Sequence, residues 1–146
     1  MREKRHEDET IFSDFVSRNV TEYVNLTPHE VTVYLDNDIV RIPPSGMVAR
    51  VDTRIEDEGV SKDGITVVLV KQGRVYVVKC GERRDKQRFP NVKKGTVYLV
   101  SVIVARELMR ADVWSPDTSD DGVVRDGRGY IIGVKRFQCF SEDFVW

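Results

Sequence analysis

The shortness of the stretches between β-like runs is what most constrains the fold of this chain. Glu30 to Leu35 alternates Val31, Val33 and Leu35 against Thr32 and Tyr34. Asp36-Asn37-Asp38 is turn chemistry, and Ile39 to Ile42 returns, which reads as a hairpin. Pro43-Pro44-Ser45-Gly46 interrupts, and Met47 to Ile55 alternates again before a polar turn over 56–64. Ile65 to Val70 and Arg74 to Cys80 flank Lys71-Gln72-Gly73, read as a second hairpin with glycine in its turn. A parallel crossover needs about a dozen residues, and these linkers are shorter. The expectation is an α+β fold: one antiparallel, β-rich domain of about seven or eight strands with two short helices.

The helices follow from spacing. Ile11, Phe12, Phe15 and Val16 share one face of a helix over 10–19, with Thr10 as its cap and Asn19 as its stop. A second helix is expected after the Tyr98–Ser101 strand. Val102, Ala105 and Met109 recur at helical spacing there, and Ser101 stands at the join as a cap. Residues 1–20 read as a charged arm and short docking helix, and residues 21–146 as the single β-rich domain. Asp112 to Asp126 reads as a long polar loop, and Gly129 to Phe140 as a final strand. Cys80 and Cys139 lie in β-like segments without CxxC spacing, where a thiol behaves as a small buried hydrophobe. With His6 and His29 they make a poor zinc set.

Composition excludes whole classes. Lys and Arg number 23 against 24 Asp and Glu, a net charge of −1, so a general field for nucleic acid is absent and nucleic acid is not an expected partner. Six Phe, five Tyr and two Trp argue against a disordered chain. No apolar run reaches the roughly 18 residues of a membrane span. The first ten residues lack the apolar stretch of a signal peptide, so a cytoplasmic protein is expected (the host cytoplasm, if viral).

Several short motifs in order carry a resemblance: Asn25-Leu-Thr-Pro-His-Glu-Val31, Ile42-Pro-Pro-Ser-Gly46, Ala49-Arg-Val51, Gly95 to Ser101, and Arg125-Asp126 followed by Gly129-Tyr-Ile-Ile-Gly133. Over residues 24–137 the chain resembles a family of small phage, prophage and bacterial proteins that has no assigned activity. The resemblance implies a viral or mobile-element setting, where a host-made partner such as a defence component or a signalling nucleotide is an expected target.

Candidate site residues gather late in the chain. Arg110, Arg125 and Arg128 stand near Asp112 and Asp126, and arginine forks suit phosphate or carboxylate. The same pairs suit pinning of a loop. Trp114 and Tyr98 are candidate stacking surfaces for a base. His29, at a corner set by Pro28, is a candidate phosphate donor or general base, or a structural corner residue. Drawn with Ser101 and Asp112 it makes a triad, but Ser101 lacks a nucleophile elbow. Asp117, Ser119 and Asp121 sit at positions 1, 3 and 5 of a calcium-type loop with Gly122 at position 6. Position 12 is Arg128, which repels a cation, so these three are weak metal candidates. The loop over 82–94 is locally basic, with Arg83, Arg84, Lys86 and Arg88.

The expected function is non-catalytic binding of a small anionic ligand or a host protein, with no cofactor and no membrane partner. Homo-oligomerisation is expected from the apolar ends, Ile11 to Val16 and Phe144 to Trp146. A divalent-metal phosphodiesterase or hydrolase, and a virion or assembly protein making only protein contacts, are the alternatives.

Overall fold

The computed structural model describes residues 12–144 and 146. Thr10, Ile11, Val145, His6 and the charged arm lie outside them. Among the described residues the chain forms a β-rich α+β domain with mostly antiparallel sheets. A helix α1 spans 12–19. The strands are β1 (Glu22–Asn25), β2 (Val31–Tyr34), β3 (Ile39–Ile42), β4 (Met47–Val60), β5 (Thr66–Lys79), β6 (Gln87–Arg88) and β7 (Thr96–Leu99). Helix α2 (Val102–Leu108) then precedes β8 (Val113–Pro116), β9 (Val123–Arg125), β10 (Ile131–Val134) and β11 (Phe137–Cys139).

Three sheets result, ordered β1-β7-β8-β11, β3-β2-β10-β9 and β4-β5-β6. The first is the middle layer. Tyr98 and Val113 face one core with Ala49, Val75 and Val77 of the β4–β5 hairpin and Val104 and Ala105 of α2. Val97, Leu99 and Trp114 face a second core with Val31, Val33 and Val134. β7 is therefore buried along its whole length, which explains its unbroken apolar run.

Short linkers do not exclude every parallel pair. β7 pairs β8 in parallel, with α2 as the crossover. β1 pairs β7 and β10 pairs β2 in parallel as well, because each returns after a long excursion of chain. Ser101 caps α2 as expected, its side chain accepting from the Val104 N–H, and Met109 closes the helix in the left-handed conformation.

Several sequence expectations are corrected. The hairpin expected at Lys71-Gln72-Gly73 does not exist: these residues lie inside one 14-residue strand, β5. Gly73 and Arg74 together oppose Asp52, a bulge that lets the strand run on where the glycine looked like a turn. A Cβ on Gly73 would stand 3.3 Å from that of Asp52. The true turn lies at 61–65, where the Ser61 N–H donates to Ile65 O at 2.9 Å and the Gly64 N–H to Ser61 O. Asp112 to Asp126 is not a long loop, because it contains β8 and β9. Cys80 is exposed. The apolar ends meet each other: Phe15 lies 4.7 Å from Phe144 and 4.6 Å from Trp146, centroid to centroid. The surface that remains open is elsewhere.

That surface is the outer half of the β4–β5 hairpin. Every residue from 53 to 74 is exposed. At roughly 3.3 Å per residue its eight-residue strands reach about 25 Å beyond the base.

Candidate functional site

The expected arginine cluster is divided among separate structural duties. Arg110 grips Asp112 with both arms of its fork, Nε at 2.9 Å and Nη2 at 2.7 Å, and donates to Pro90 O at 2.9 Å. Asp112 has a fully buried side chain, so this pair pins the entry to β8 to the loop before β7. Trp114 is buried, and its Nε1 donates to Ala111 O at 2.8 Å. Tyr98 is buried against Phe89, its hydroxyl donating to Asn91 O. Burial pushes the Tyr98 phenol above its ordinary range. Neither ring is an open stacking surface. Arg125 instead ends β9, and Arg128 lies on the β9–β10 turn. There Asp126 accepts from the N–H groups of Arg128 and Tyr130, and Arg125 donates to Gly129 O at 2.8 Å.

His29 is exposed, and its carbonyl is held by Asn25 and Thr27. The residue that organises the corner is Asn25, which is buried and which sequence reading noted only as the head of a motif. Its amide donates to His29 O at 2.8 Å and to Ile42 O at 3.0 Å, and its Oδ1 accepts from both the N–H and the hydroxyl of Thr27. The Asn-Leu-Thr-Pro-His motif is thus a tie between β1, the turn after it and β3. Of the drawn triad, Ser101 caps α2 and Asp112 is paired with Arg110.

The calcium-type loop is closed from within. Asp117 is buried, with Oδ1 accepting from the Ser119 N–H and Oδ2 bonded to Arg136 Nε at 2.6 Å. Those bonds, from Ser119 and then Arg136, hold its carboxyl at about 2. Gly122 packs so tightly on Asp117 that a Cβ there would clash with both its backbone and side chain. Ser119 and Asp121 point into exposed surface. Among the described residues no three His, Cys, Asp or Glu side chains gather as a metal set. Arg136 was missed because its partner lies nineteen residues away.

Two open features remain beside the hairpin arm. An apolar groove of about 440 Å³ runs between α1, the β2–β3 hairpin and β11. Phe12, Val16, Leu35, Val40, Trp114 and Phe137 line it, and Lys135 and Arg136 stand on its rim. A polar hollow of about 530 Å³ lies between Arg50, Tyr76, Arg83 and Lys86. There the Lys86 ammonium sits 4.4 Å from the Tyr76 ring centroid and 3.0 Å from an Asp52 carboxylate oxygen.

No family model, curated protein or solved structure matches the chain. The phage-type resemblance therefore rests on its short motifs alone. The physical content of those motifs is largely architectural, as Asn25 illustrates.

No described helix is long and apolar enough to cross a membrane. Among the described residues, the arm, the groove and the polar hollow are the features that packing does not explain. Sequence reading took the β-branched run 65–70 as one flank of a hairpin and said nothing of its burial, because alternation reports a strand and not what covers it.

Proposed function

We propose that this chain is a non-catalytic protein of phage or mobile-element type that works through protein contacts, in the cell interior, with the β4–β5 arm as its contact element. One observation carries the reading. Ile55, Val60, Val67, Val68, Leu69 and Val70 are all between 41% and 70% exposed on a two-stranded ribbon. An isolated two-stranded ribbon is marginal in water, and exposed apolar side chains on both of its faces point to an interaction site. The alternative of an assembly component that contacts only proteins falls within this reading. A metal-dependent hydrolase has little support, since Asp117 and Asp112 are already engaged by arginines.

The test is a photo-crosslinking side chain at position 68, introduced into the full chain in its own host. A crosslink to protein is expected. Absence of any protein adduct overturns the reading.

A second reading, capture of a small anionic ligand, is favoured by the polar hollow. Arg50, Arg83 and Lys86 supply cationic donors beside the Tyr76 ring, the combination that suits a nucleotide phosphate and base. Calorimetry against a nucleotide panel tests it: heat that Arg83→Ala removes supports it, and no heat overturns it.

A further inference from the structure

The arm and the groove have complementary chemistry. Cross-strand partners share a face of a ribbon, and faces repeat every second residue. Val70 opposes Ile55, Val68 opposes Glu58 and Thr66 opposes Val60. One face of the arm therefore carries the aliphatic side chains Ile55, Val60, Val68 and Val70, with Glu58 between Ile55 and Val60 and directly opposite Val68. Glu58 enters no ion pair among the described residues. The groove offers the converse: Phe12, Leu35, Val40 and Phe137 as apolar walls and Lys135 on the rim. Lys135 likewise enters no ion pair among the described residues. Leu35 is 52% exposed, so among the described residues the groove is not fully covered.

We propose that the groove is the seat of the arm of a second copy of this chain, with Val68 and Val70 against Leu35 and Val40 and Glu58 against Lys135. The occupant is a second copy because charge and apolarity match side by side, and every copy carries both halves. Such a contact is made either reciprocally, in a two-fold dimer, or head to tail, in a closed ring or an open chain of subunits. This rests on the reading of the arm as a contact element and names its partner.

Sedimentation of the purified full chain over a range of concentrations tests it. The wild type is expected to form species heavier than the 16.8 kDa monomer. Val68→Lys and Leu35→Lys, both at exposed positions, each weaken that association about tenfold or more. Glu58→Lys and Lys135→Glu each weaken it as well, and mixing these two variants restores a contact between unlike copies. Circular dichroism confirms that every variant is folded. A wild type that stays monomeric overturns the proposal. So does an arm variant that dissociates while the groove variants do not, the signature of arm pairing with arm. Adducts from position 68 decide between this proposal and the broader reading. An adduct on groove residues of the same chain supports both. An adduct on a different protein overturns self-docking and leaves the contact function standing. A groove crosslinked to residues 1–11 of its own chain, or carrying a small apolar molecule in native mass spectrometry, also overturns self-docking.

Discussion

The two halves of the β4–β5 hairpin share strands, residue types and hydrogen-bond ladder, yet differ in every energetic respect. At the base, Val48, Ala49, Val75, Val77 and Val78 are buried, and Ala49, Val75 and Val77 pack with α2 and the middle sheet. In the arm, Val67, Val68, Leu69 and Val70 have the same β-branched and aliphatic character and no cover among the described residues. The bulge of Gly73 and Arg74 against Asp52 marks the boundary. The difference teaches that periodicity specifies a strand, whereas burial depends on what the rest of the chain brings to it.

Four measurements break or sharpen this contrast between body and arm. The largest effect is expected from the polar pin beneath the base. Asp112→Ala leaves the half-buried Arg110 without its carboxylate and should cost about 3–5 kcal/mol in denaturant unfolding. A loss below about 1 kcal/mol would mean that the pin is replaceable. Next, Val77→Ala in the base should cost about 2 kcal/mol, and Val67→Ala in the arm less than about 0.5 kcal/mol at concentrations where the chain is monomeric. Equal costs would show that the arm is packed like the base.

The third measurement concerns the Asp117–Arg136 tie. The folded carboxyl titrates at about 2 against an ordinary 3.8, so its contribution is complete above 3.8 and lost as pH falls from there toward 2. The thermal midpoint of the wild type should fall toward that of Asp117→Asn across this window. Parallel curves would mean that the tie contributes nothing. The smallest effect is chemical. Burial raises the Cys139 thiol, and its sulfur lies 3.1 Å from Ser141 O, whereas Cys80 is exposed just beyond β5. Alkylation of the folded protein should label Cys80 first, and comparable rates at both thiols would show the β8–β11 edge to be open.

The fold class was legible in the sequence because alternation, turn residues and the Ser101 cap are local signals. The continuity of β5 was not. Gly73 reads equally as a turn and as a bulge, and only the register against Asp52 decides. The parallel pairing of β7 and β8 was hidden by the brevity of α2, a seven-residue crossover. The candidate site was less legible still. Arginines and aspartates close in sequence looked like a ligand cluster, but Arg110 holds Asp112 while Arg125 ends β9 and Arg128 lies on a turn organised by Asp126. Asn25 was noted only as the head of a motif and Arg136 not at all, because their roles depend on partners up to 17 and 19 residues away. The groove could not be read at all, being assembled from α1, β2, β3 and β11.

The central claim is that the arm is bare in the lone chain and covered by a second copy in its working state. Hydrogen exchange over residues 53–60 and 66–72, followed as protein concentration rises, addresses it most directly. The account predicts fast exchange in dilute solution and protection that grows with concentration, while the base of the hairpin stays protected throughout. An arm as protected as the base at every dilution, or one that never gains protection, would contradict it.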